Sequence, residues 1–118
     1  RRRPGAGGGG RVGATPTALT MRQLRDDGWP VVEKVEHWDG RRTHDLFGII
    51  DVLAVGPRGT LAVQTTSRAN VSARVRKIAD SPTIAAIREA GWTVLVHGWH
   101  QPKGPGTRWV LGRVVDVS

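Results

Sequence analysis

The 118-residue chain carries 18 Lys and Arg against 10 Asp and Glu, a formal net charge of +8, with 38% hydrophobic and 24% charged residues. That balance suits one globular domain with a modest core and excludes an intrinsically disordered chain. No apolar run approaches the ~20 residues that cross a bilayer, so no membrane partner is expected; the absence of cysteine removes disulfides and thiolate sites and fits a reducing, cytoplasmic setting.

Residues 1–14 are Gly-rich with four arginines (Arg1, Arg2, Arg3, Arg11) and no acid, and are expected to form a flexible basic tail before a domain spanning residues 15–118. Without them the body retains fourteen basic against ten acidic residues, so the surplus is shared between tail and body. Such a surplus favours a polyanionic partner, nucleic acid first.

Thr15-Pro16-Thr17 predicts a helix start, with Thr15 as cap and Pro16 in the first turn, and Gly28 its stop. Val31, Val32 and Val35 predict a first strand within Trp29 to Trp38, and Asp39-Gly40 a turn. The nearly continuous apolar run from Leu46 to Val55, broken only by Asp51, predicts a second strand. Gly56-Pro57-Arg58-Gly59 turns it into a third, Thr60 to Thr66. Val71, Val75 and Ile78 share one face of a following helix, with Arg74 and Lys77 together on another. A short helix through Ile84 and Ile87 and two late strands, Trp92 to His97 and Trp109 to Val117, complete an α/β domain whose mixed central sheet is flanked by helices.

A four-residue connection at Gly56–Gly59 places Val55 opposite Thr60 and Asp51 opposite Gln64, with Asp51, Gln64 and Thr66 on one side of the sheet. Ile50, Val52, Ala54, Leu61 and Val63 then form the other, core side. A carboxylate in an apolar strand is costly unless paired, hydrogen-bonded or metal-bound; taken alone, Asp51–Gln64 reads first as a pair fixing strand register. Asp45 lies just before this strand, and Glu36, ahead of Glu33, near the end of the first. Carboxylates converging there would hold a hard divalent cation, Mg2+ with retained waters. Lys77 would stabilise charge beside it and Arg74 would hold a phosphate, the layout of metal-assisted phosphodiester cleavage.

The stretch Asp45-Leu46-Phe47-Gly48-Ile49-Ile50-Asp51 through Gln64-Thr65-Thr66-Ser67 to Arg74-Val75-Arg76-Lys77 resembles the PD-(D/E)XK nuclease superfamily. Its small phage and actinobacterial members and its Holliday-junction-resolvase-like and VRR-type nucleases are the nearest in kind. The resemblance covers about residues 15–117 and implies a restriction-endonuclease-like α-β-β-β-α-β core. It also implies a Mg2+- or Mn2+-dependent DNA endonuclease, acting on branched or otherwise structured DNA. Carried over by position, Asp51 is the metal ligand, Gln64 stands at the acidic position and Thr66 at the lysine position. These two departures leave Asp45 or Glu36 to replace the carboxylate and Lys77 to replace the lysine. The expected catalytic set is therefore Asp51, Gln64, Lys77, Asp45 and Glu36, and the metal set Asp51, Asp45, Gln64 and Glu36. Arg68, Arg74, Arg76 and Lys77 are the expected DNA contacts. A homodimer is an open option. Gln64 and Thr66 keep alive a second reading, a non-catalytic nucleic-acid-binding module on a degenerate nuclease fold. A third is a domain meeting a protein partner through its Trp-rich end.

Four histidines without HExxH-type spacing give no zinc signature. Gly7 to Gly10 lack the Lys-Ser/Thr of a phosphate loop, and no Gly-x-Ser-x-Gly elbow occurs. Trp29, Trp38 and Trp92 are expected in or against the core. Trp99 and Trp109 flank a Pro/Gly loop, where they pack or stack on unpaired bases.

Overall fold

The computed structural model describes residues 15–118; the tail read into residues 1–14 lies outside them. Helix α1 (Pro16–Asp26) starts where the Thr15 side chain accepts the Ala18 amide, with Pro16 in its first turn. Strands β1 (Val31–Lys34), β4 (Val52–Gly56), β5 (Gly59–Ser67), β6 (Thr93–His100) and β7 (Val110–Asp116) form one mixed sheet in the order β1-β4-β5-β6-β7. All neighbours are antiparallel except β5 and β6, which run parallel. The crossover between those two carries a 3-10 turn (Arg68–Asn70), helix α2 (Val71–Ala79) and helix α3 (Ile84–Glu89).

Alternation along β5 assigns the layers. Leu61 and Val63 pack with Leu24 of α1, while Ala62 packs with Val71, Ile78, Ile84 and Ile87 of α2 and α3. Successive strand residues face opposite ways, so α1 covers one face and α2 with α3 the other. Among the described residues no helix is long and apolar enough to cross a membrane.

The hairpin register is the expected one: Val52 pairs with Val63, Val55 with Thr60 and Gly56 with Gly59. Two expectations need correction. The first strand stops at Lys34, and His37–Trp38 (β2) pairs instead with Thr43–His44 (β3) in a separate two-stranded ribbon. The run from Leu46 to Asp51 is no strand. Phe47 and Gly48 adopt φ of 54° and 76°, and the Leu46 amide donates to the Ile50 carbonyl at 2.9 Å, so the chain folds back on itself. The alternation therefore reaches Asp51, which still meets Gln64, and ends there. Ile50 falls beneath α2 and α3 with Ile49, not beside Val52.

Helix α2 is seated against β6 at Gly98. A Cβ there would lie 2.3 Å from Val71 Cγ2 and 3.0 Å from the Arg68 backbone, closer than a backbone neighbour can yield. Gly98→Ala is expected to destabilise the fold by about 1–3 kcal/mol through overpacking, measured as a lowered denaturation midpoint.

Trp29 and Trp92 pack against the core as expected, and of the tryptophans expected there Trp38 alone departs. Trp99 is 5% exposed and donates its indole N–H to Thr20 at 2.9 Å, whereas Trp38 is 65% exposed. Trp38 sits on the short β2–β3 ribbon, which among the described residues packs chiefly on itself.

Candidate metal centre

The fold-back between Leu46 and Ile50 brings its two flanking acids together: Asp45 enters the loop and Asp51 leaves it. Glu36, in the link from β1 to β2, supplies a third carboxylate. One oxygen from each of Glu36, Asp45 and Asp51 lies within 4.8 Å of the others. All three line a cavity of about 440 Å3 together with Thr17, Thr43, Thr66, Arg74 and Lys77. This acidic trio can hold a metal ion, and an all-oxygen donor set suits a hard cation.

Each acid is held by its surroundings. Asp51 is 5% exposed; its Oδ2 accepts from Gln64 Nε2 at 2.7 Å and from the Thr65 amide at 2.8 Å. Glu36 Oε1 accepts from Thr17 Oγ1 at 2.6 Å, and Thr17 also touches Thr65 Oγ1 at 3.2 Å. Asp45 Oδ2 lies 3.4 Å from Gln64 Nε2 and 3.7 Å from Lys77 Nζ. Gln64, fully buried, turns its amide NH2 to the carboxylates and its oxygen to Arg74 Nη1 at 3.0 Å. Arg74 fixes that orientation: a guanidinium only donates, so the amide oxygen must face it and the NH2 is left for the carboxylates. Ligation through the Gln64 oxygen would need the amide to flip and release Arg74.

The other expected residues separate. Arg74 and Lys77 line the cavity, as their shared helix face implied. Arg76 is exposed on another side of α2, and Arg68 lies along β7, its Cδ 2.8 Å from the position of a Gly112 Cβ. Neither lines the cavity. Glu33 is in the β1–β4 ladder and exposed. His44 bonds Asp39, and no histidine joins an acidic cluster among the described residues. Thr17 and Thr43 are cavity residues that sequence reasoning missed. The start of α1 was legible, but nothing in the sequence says that its first turn abuts Glu36.

Burial, helped by the carboxylates of Asp45 and Glu36 and opposed by the Thr65 amide, pushes the Asp51 carboxyl up to about 7. Burial pushes His97, whose Nδ1 lies 3.1 Å from Thr20 Oγ1, down to about 4. In the metal-free protein the two groups act oppositely. Folded Asp51 keeps a proton that the unfolded chain releases near pH 3.8, so its contribution is full below that pH and is lost as pH rises to about 7. Folded His97 stays neutral while the unfolded imidazole protonates below 6.5, so its contribution is full above 6.5 and is lost as pH falls toward 4. Between these limits they offset each other. Asp51→Asn removes the first and exposes the second: its stability relative to wild type is expected to drop by on the order of 2 kcal/mol from about pH 6.5 to about pH 4.5. Urea denaturation of both proteins across that range, without divalent metal, measures it.

Comparison with family models, curated proteins and solved structures returned no match for this chain.

Proposed function

We propose that this chain is a Mg2+- or Mn2+-dependent DNA endonuclease of the PD-(D/E)XK kind. The observation that carries the reading is the trio Glu36, Asp45 and Asp51 facing Arg74 and Lys77 across one cavity. Metal-assisted phosphodiester hydrolysis needs both signs of charge within reach of one phosphate. The order α1, antiparallel β1-β4-β5, α2, then β6 parallel to β5 supports the family core, and the +8 charge supports a polyanionic substrate.

Asp51, Asp45 and Glu36 would hold the ion, whose chemistry is to acidify a bound water and offset charge on the phosphate. The chain's own groups supply the rest. Gln64 and the Thr65 amide orient Asp51, Thr17 orients Glu36, and Gln64 holds the Arg74 guanidinium over the cavity. Arg74 and Lys77 stabilise negative charge on the phosphate as the bond to the leaving oxygen breaks.

One observation favours the non-catalytic alternative. Gln64 places a neutral amide against the carboxylates where the family has an acid, and Thr66 brings no cation to the cavity. Supercoiled plasmid incubated with Mg2+ or Mn2+ separates the two. Nicking that EDTA stops supports the enzyme; binding without nicking in either metal supports the binding module.

A further inference from the structure

The β2–β3 ribbon stands outside the five-stranded sheet, joined to it by the segments that carry Glu36 and Asp45. Its two cross-strand pairs are His37 with His44 and Trp38 with Thr43. Directly opposed residues project to the same side of a ribbon. Thr43 lines the acidic cavity, and Trp38, paired with it, shares its side of the ribbon. The two imidazoles stack on the other side, with ring centroids 5.5 Å apart and planes at 26°.

Trp38 is 65% exposed, a large apolar ring left in water beside a charged site. Its turn is built to present cations. Asp39, the sole acid between Trp38 and His44, accepts from the Arg41 and Arg42 amides at 2.8 and 3.0 Å and bonds His44. With that carboxylate occupied inside the turn, Arg41 and Arg42 project as exposed cations. The ribbon thus carries an exposed aromatic ring and two exposed arginines on the short segment that links Glu36 to Asp45, two acids of the cavity that Arg74 and Lys77 also line. Aromatic faces between phosphate-binding cations are how proteins hold unpaired nucleotides, because a base inside a duplex has no free face to stack on.

We infer that the β2–β3 ribbon is an arm that stacks an unpaired base on Trp38 beside the metal centre, so that the favoured DNA carries single-stranded nucleotides next to a duplex. This rests on the nucleic-acid reading of the site but not on catalysis.

The test is fluorescence anisotropy in EDTA, comparing labelled duplex bearing a single-stranded overhang with the same duplex blunt. Wild type is expected to bind the overhang DNA more tightly. Trp38→Ala is expected to weaken that binding ~5- to 150-fold, the range of one lost base–aromatic stack, and to leave blunt duplex unchanged. Trp38→Phe keeps the preference. Equal affinity of wild type for both DNAs, or an equal loss on both in Trp38→Ala with its circular dichroism unchanged, overturns the inference. So does tighter binding of an RNA overhang than of the DNA one. Failure of the nuclease reading looks different: an overhang preference that depends on Trp38, without cleavage of any DNA in Mg2+ or Mn2+, leaves the arm standing and removes the enzyme.

Discussion

Asp51→Asn is expected to lower metal-dependent cleavage by at least ~10^3-fold, equivalent to about 4 kcal/mol of transition-state stabilisation, in a protein that still folds. Asparagine has the same shape, and its amide oxygen can still accept from Gln64 Nε2 and the Thr65 amide, as Asp51 Oδ2 does at 2.7 and 2.8 Å. Its NH2 can face the Asp45 carboxylate. The substitution therefore removes the central ligand charge without leaving a buried donor or acceptor orphaned. It also removes a carboxyl whose ionisation is opposed first by burial and then by the neighbouring acids, so neutral-pH stability in the absence of metal should hold or rise. Alanine in place of Asp51 would instead orphan the Gln64 amide and the Thr65 N–H, mixing a folding defect with a chemical one. Cleavage that persists in folded Asp51→Asn would place the chemistry elsewhere.

Lys77→Ala is expected to slow cleavage ~10^2-fold, a loss of about 3 kcal/mol, while affinity for divalent metal holds or increases. The Nζ group lies 3.7 Å from Asp45 Oδ2 in a half-exposed side chain, close enough to share that carboxylate and reach a phosphate in the cavity. It competes with a metal for Asp45, so removing it frees a ligand while removing a charge that offsets the developing oxyanion. Binding should report the same geography. Lys77→Ala and Arg74→Ala each lower the slope of log K against log salt by about one contact on duplex DNA, whereas Arg76→Ala, outside the cavity, changes it little. If Lys77→Ala changes neither cleavage nor the salt slope, the cation opposite the acids has another source.

Local signals account for what was legible. Thr15-Pro16 marks α1, Pro57-Arg58 between two glycines fixes the hairpin register, and the apolar spacing of Val71, Val75 and Ile78 orients α2 so that Arg74 and Lys77 face together. From these the Asp51–Gln64 contact and the direction of the α2 cations follow. The fold-back at Leu46–Ile50 was hidden because its side chains are apolar: Ile49 and Ile50 are buried beneath α2 and α3 as firmly as strand residues would be. The one local mark is Gly48, next to a phenylalanine held at positive φ. That loop is what joins Asp45 to Asp51, so convergence was expected from sequence but its cause was not. The contacts of Glu36 with Thr17 and of Gln64 with Arg74 depend on how layers meet, which no local pattern encodes. Trp38 was misplaced for a related reason. A tryptophan after β-branched residues reads as core, and only the ribbon's departure from the sheet leaves it in water.

The most direct measurement is calorimetric titration of Mn2+ into the metal-free protein near pH 7.5, alongside Asp51→Asn. Because ligation requires an ionised Asp51, binding should release protons and weaken as pH falls below about 7. Saturable Mn2+ binding to wild type, lost in Asp51→Asn, is the expected result. Absence of Mn2+ binding to wild type, or identical isotherms for the two proteins, would contradict it.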